Sequence, residues 1–221
     1  MNKFFNLPLR VRLDPAVMRP GATPESKTYT LRGYNPVGAE KISQGTYSEE
    51  GLLAAKKVVD VRDLFDCGAD VGPPSVREPN RFPPEEAIPG FKDFSLEFFW
   101  TCHRAGMDLF RAVALGLGLD EDYFVNVHRD ADHILRYHHY PATERLGLVD
   151  ETKARVQAHT DYGSMTLLFQ DAIGGLQVED AHQPGHFGKP AFPCSRSPRS
   201  YVLTLSSPGA THPRRSDCER G

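Results

Sequence analysis

QAHTDYGSMTLLFQDAIGGLQVED, residues 157–180, is the stretch whose reading decides the fold. Its patterning is that of a meander: an extended start, a turn at Tyr162-Gly163-Ser164, the apolar run Met165 to Phe169, a second turn at Gly174-Gly175, and a short strand Leu176-Gln177-Val178. In an extended chain, residues i and i+2 point to the same side. The imidazole of His159 and the carboxylate of Asp161 are therefore expected to converge while Thr160 faces away. One imidazole and one carboxylate, completed by a distant second His, make the facial set that holds Fe(II) with open positions for other ligands. Such a triplet also arises by chance, as His128-Arg129-Asp130 illustrates. The bland alternative is a hydrogen-bonded surface pair on an ordinary hairpin.

The bulk properties restrict the class. A chain of 221 residues can bury one sizeable core. A net charge of -3 and a pI near 6.3 leave no electrostatic footprint for nucleic acid or an anionic membrane, so a small-molecule partner is expected. The apolar start MNKFFNLPLR is short and broken by Pro8, unlike a signal peptide or a membrane span, and a soluble cytoplasmic protein is expected. Cys67, Cys102, Cys194 and Cys218 form no CxxC pair and read as free thiols. With no HExxH motif and no three-His cluster, a zinc hydrolase is disfavoured.

Outward from the decisive stretch, His133 to Pro141 (HILRYHHYP) reads as a strand closed by proline. Arg136, His138 and Tyr140 fall on one face, and Leu135, Tyr137 and His139 on the other. A helix is expected from Phe94 to Leu117, with Phe94, Phe98, Cys102, Gly106, Phe110, Val113 and Leu117 on its apolar stripe, Phe99, Leu109 and Ala114 widening it, and Gly118 ending it. KVVDVRDLFDCG, residues 57–68, reads as extended, residues 1–47 as largely irregular, and Tyr47 to Lys56 as a short helix capped by Ser48. Pro73 to Pro89 reads as a surface loop.

Ala158-His159-Thr160-Asp161, Thr166-Leu167-Leu168, Gln170-Asp171 and Gly175-Leu176-Gln177-Val178, all in one register, resemble the signature of the iron- and 2-oxoglutarate-dependent dioxygenases of the isopenicillin N synthase-like family. Phe4-Phe5-Asn6-Leu7-Pro8-Leu9, Gly33-Tyr34 with Gly38 and Glu40, and Asp60 to Gly68 are similar to further segments of that family. The resemblance implies a mostly β fold with flanking helices, an incomplete double-stranded β-helix (jelly-roll, cupin-like) barrel. It implies Fe(II) on His159 and Asp161, 2-oxoglutarate as co-substrate with Tyr140 at one of its carboxylates, O₂, ascorbate beside them, and oxidation of a small organic substrate. His138 stands where the family has Asn.

The family's opening strand and helix do not precede Phe4. Beyond about Phe187 the family's GD turn, its HRV with the second His ligand and its RxS with the carboxylate-gripping Arg find no match. The resemblance thus divides the chain into a supporting region (1–118), a partial oxygenase core (119–187) and a disordered tail (188–221). His212 lies near the family's interval for the distal ligand, but Pro213 and two Arg beside it are poor company for a closed metal site. The competing expectation is a non-catalytic remnant or binding module that retains part of the metal site.

Overall fold

A computed structural model describes residues 2–21, 31–40, 57–71, 78–143, 153–156, 158–159, 161, 163–171, 173–180 and 182–189, and the backbone of 200–205. The helix expected from Tyr47 to Lys56 lies outside them. The chain forms two compact units, Met1–His159 and Thr160–Gly221. The boundary expected between 118 and 119 falls inside the first unit, because the strand that follows it pairs along its whole length with an earlier one.

In the first unit, two four-residue helices, α1 (Asn2–Phe5) and α2 (Leu9–Arg12), precede β1 (Gly33–Asn35), β2 (Val59–Asp60) and β3 (Asp63–Gly68). Then come α3 (Phe91–Gly116), α4 (Tyr123–His128), β4 (Ile134–His139) and β5 (Lys153–Ala154). Strands β1, β3 and β4 make an antiparallel sheet with β3 in the centre, while β2 and β5 pair in parallel. Part of the segment read as irregular is therefore ordered by pairing. Tyr34 donates its N–H to the Val17 carbonyl at 2.9 Å and accepts from the Arg19 N–H at 2.8 Å, which threads β1 into the sheet. Gly33 has φ +108, where a side chain would press on the Val17 carbonyl.

The register of β3 against β4 sorts the two faces. Phe65 lies opposite Tyr137, and Cys67 opposite Leu135, on the face that builds the core. Phe65 is wholly buried, and its ring lies 4.6 Å from Phe4, 5.3 Å from Phe91 and 5.6 Å from Phe82. The same face carries Asp63 opposite His139, whose Nδ1 hydrogen-bonds Asp63 at 2.7 Å while its ring stacks on Phe5 at 4.9 Å. The opposite face carries Leu64 and Asp66 against His138 and Arg136. The alternation read from the sequence therefore holds for this strand.

Helix α3 forms where its apolar periodicity predicts, and Gly118 at φ +70 lies just beyond its end. Its buried face holds Phe99, Gly106, Phe110 and Ala114 of the expected stripe but not Phe94 or Leu117. Phe91, Ser95, Phe99, Gly106, Phe110 and Ala114 are buried, whereas Phe94 is 56% exposed and Leu117 64% exposed. Phe94 and Phe98 instead stack on each other in parallel at 6.2 Å. The polar Ser95 is drawn inside by the Tyr137 hydroxyl, 3.1 Å from its Oγ. That hydrogen bond, which satisfies a buried polar side chain, is available only in the folded chain.

Two local arrangements give testable consequences. Asn80 brackets Gly68, accepting its N–H at 2.9 Å and donating to its carbonyl at 2.8 Å, while Arg32 donates to the same Asn80 at 3.0 Å and packs against Gly68. A methyl at Gly68 would collide with the buried Arg32 guanidinium. Gly68→Ala is expected to cost about 1–3 kcal/mol, seen as a lowered urea midpoint with an unchanged slope.

His133 is stacked on Phe99 at 4.1 Å and on His103 at 5.3 Å. Burial of the ring, with the nearby His103 and Arg32, pushes its pKa down to about 4. The unfolded chain takes up a proton near pH 6.5, and the folded chain only near 4. Stability present above 6.5 is therefore lost as pH falls through this window. The urea midpoint should drop between about pH 7.5 and about pH 5, and drop less in His133→Gln.

The second unit contains two antiparallel pairs. Strand β6 (Met165–Gln170) pairs with β9 (Ser200–Leu205), and β7 (Val178–Asp180) with β8 (Gln183–Gly188). Gly174 and Gly175, at φ 71 and 101, make the expected turn between β6 and β7. Strand β9 corrects the expectation of disorder for its own six residues. The alternating Tyr201-Val202-Leu203-Thr204-Leu205 is enough to pair residue for residue with β6. Among the described residues, the pairings form four separate sheets.

Candidate active site

The site is built from the face of the first sheet that carries the charges. Arg136 on β4 grips Asp66 on β3 with two parallel bonds, Nε to Oδ1 and Nη2 to Oδ2, both 2.8 Å. Its Nη1 donates to Glu40 at 3.0 Å, and Arg19 adds ion pairs to Glu40 at 3.3 Å and Asp66 at 3.7 Å. Burial works against ionisation of Glu40, yet Arg136, Arg19 and Arg62 together hold its pKa below the usual carboxylate range. Arg136 is therefore committed to the framework.

Two residues on, His138 and Tyr140 share that face with ring centroids 5.9 Å apart and planes nearly parallel. Burial, followed by the charges of Arg62 and Arg136, lowers the His138 pKa to about 3 and keeps the imidazole neutral at pH 7. His159 also acts electrostatically on His138, which places both imidazoles in one neighbourhood of the first unit. Tyr140, the expected 2-oxoglutarate contact, lies one residue past the end of β4 and is 45% exposed. Arg62, Arg155 and Asp60 lie close enough to act on its hydroxyl electrostatically. Arg155 donates to the Pro141 carbonyl at 2.5 Å.

The expected metal ligands occupy different surroundings. His159 is exposed and closes the first unit, whereas Asp161 is exposed and belongs to the second. Asp161 Oδ2 accepts the Thr166 hydroxyl at 2.5 Å, a bond that orients the carboxylate from β6. The expected strand beneath the pair is not observed. Ala158, His159 and Asp161 have irregular backbone, and regular pairing starts only at Met165, where the apolar run begins. An exposed imidazole and an oriented carboxylate fit Fe(II) in kind.

Among the described residues, no three His, Cys, Asp or Glu converge as a metal site. His182 and His186 are exposed in the second unit, and His212 lies outside the described residues. Sequence patterns alone do not single out Arg62 and Arg155. Their only local signal is a basic residue flanked by acids in Asp60-Val61-Arg62-Asp63.

Residues 131–208 match the model of the 2OG-Fe(II) oxygenase superfamily. That match runs past Phe187, where the legible motifs end, and takes in β9. The chain is similar to proteins of this superfamily. It is 36% identical over 206 residues to the 2-oxoglutarate-Fe(II) type oxidoreductase ppzD of Metarhizium rileyi, covering 92% of this chain and 54% of the relative. To the 2-oxoglutarate-dependent dioxygenase frbA of Dothideomycetidae sp. it is 38% identical, over 84% of this chain and 52% of the relative.

The structure resembles that of a full-length Neurospora crassa protein crystallised in complex with alpha-KG and thymine. The TM-score is 0.69 at 32% identity, covering 93% of this chain and 57% of that one. It also resembles a 2OG-Fe(II) oxygenase family protein from Caulobacter crescentus, with a TM-score of 0.65 at 25% identity, over 93% of this chain and 57% of that one. These neighbours are jelly-roll oxygenases, and this chain resembles them in its antiparallel strands and flanking helices. The chain spans about half the length of the curated relatives it matches. No helix among the described residues is long and apolar enough to cross a membrane.

Proposed function

We propose that the protein is an Fe(II)- and 2-oxoglutarate-dependent oxidoreductase that hydroxylates, desaturates or cyclises a small organic substrate. The observation that carries this reading is the family match over 131–208, which contains both His159 and Asp161. These two residues would hold the metal, and Tyr140 would contact a carboxylate of 2-oxoglutarate. Bound Fe(II) supplies the coupling between 2-oxoglutarate oxidation and O₂, with ascorbate as an accessory. The chain's own residues bind and orient. Thr166 fixes Asp161, and the aromatic core beneath β3 and β4 gives the sheet a rigid floor.

The test is anaerobic calorimetry of the whole chain with Fe(II), followed by aerobic succinate measurement. One Fe(II) per chain and succinate above the protein-free control are expected. Fe(II) uptake without succinate would instead support a non-catalytic binding module. That second reading is favoured because no three His, Cys, Asp or Glu among the described residues could together hold a metal ion.

A further inference from the structure

We propose that Arg62, supported by Arg155 and the Tyr140 hydroxyl, forms a carboxylate-binding site on the face that also carries His138. Arg62 is 3% exposed and sits between β2 and β3. Its Nε and Nη2 form one edge of the guanidinium, whose parallel N–H groups match the two oxygens of a carboxylate. Both nitrogens are buried, and neither makes a hydrogen bond among the described residues. The Asp60 carboxylate stands 3.8 Å from Nη2, within ion-pair reach but beyond hydrogen-bond length.

The sheet brings a second guanidinium to the same place. Parallel pairing of β2 with β5 sets Asp60 beside Ala154, and the Val61 N–H donates to the Ala154 carbonyl at 2.7 Å. Arg155 follows directly and is tied to Pro141, next to Tyr140. Among the described residues, Arg62, Arg155 and Asp60 all act on the Tyr140 hydroxyl. Glu40, the other acid within reach of Arg62, is already held by Arg136 and Arg19. His138 Nδ1 is a further buried polar atom with no hydrogen bond among the described residues. The Arg62 donors are directional.

The site deepens the proposed function, and it rests on that reading only for its biological ligand: either 2-oxoglutarate or a substrate acid would present the same group. The experiment is titration calorimetry of the full, metal-free chain with 2-oxoglutarate, with benzoate as a monocarboxylate and with methyl benzoate as its neutral counterpart. The wild type is compared with Arg62→Lys, which keeps the charge and loses the edge, and with Arg155→Met. At least one acid should bind while the ester does not, and Arg62→Lys should weaken that acid roughly tenfold or more. Arg155→Met should weaken it less.

Selective loss of 2-oxoglutarate affinity assigns the site to the co-substrate, and selective loss of benzoate affinity to a substrate acid. Unchanged affinities in Arg62→Lys, or no binding of either acid to the wild type, overturn the site and leave Arg62 as the partner of Asp60 only. Binding is read without iron or turnover. A chain that binds acids through Arg62 yet forms no succinate would thus refute the oxygenase reading alone.

Discussion

Replacing His159 with alanine is expected to lower 2-oxoglutarate-dependent succinate formation at least about 100-fold, toward the protein-free control. Disturbing even the outer partners of a metal ligand costs roughly 10–100-fold in affinity or activity, and this change removes a nitrogen donor outright. His159 is exposed, so the fold should hold to within roughly 0.5 kcal/mol, and circular dichroism melts of the two proteins should overlay. Thr166→Val provides a graded companion. It removes only the hydroxyl that orients Asp161, and a smaller loss is expected. Equal succinate yields from the wild type and His159→Ala would take this imidazole out of the mechanism and leave the family match without its metal ligand.

Arg136→Met is expected to be the most damaging single change to the first unit, at about 3–5 kcal/mol. Asp66 is fully buried on β3, and Arg136 satisfies both of its oxygens. Burial already draws the Asp66 carboxyl toward its neutral form, and the Arg136 guanidinium is the main force opposing this. After the substitution only Arg19, at 3.7 Å, faces the buried charge, and Glu40 loses its closest cation as well. Urea unfolding of the single variant and of Arg136→Met with Asp66→Asn separates the causes. The double variant should recover part of the loss, because it removes the stranded charge. A single variant within about 1 kcal/mol of the wild type would show that the network contributes little.

Local signals carry far in this chain. The alternation in 133–141 places Arg136, His138 and Tyr140 on one face, and the pairing of β3 with β4 agrees with it. Gly118 is legible as the end of α3 because a glycine after an apolar periodic run can take the left-handed conformation that closes a helix. Where local reading fails, two signals of similar strength compete. The expected stripe contains both Phe94, which is exposed, and Phe99, which is buried, and the Ser95–Tyr137 hydrogen bond on the buried side joins positions 42 residues apart. Likewise, an HxD triplet suggests a strand, yet regular pairing begins only at Met165.

Sequence by itself determined the likeness to the 2-oxoglutarate oxygenases, the strand that leads to Tyr140, and the types of donor offered at His159 and Asp161, since each depends on residue identity and short-range periodicity. Only the tertiary structure decided that Ser95 is buried and Phe94 exposed on α3, that residues 200–205 join β6, and that Arg62 and Arg155 both act on Tyr140. Those outcomes depend on pairing between segments far apart in the chain, and a local pattern such as the alternation in 201–205 offers a strand without naming its partner.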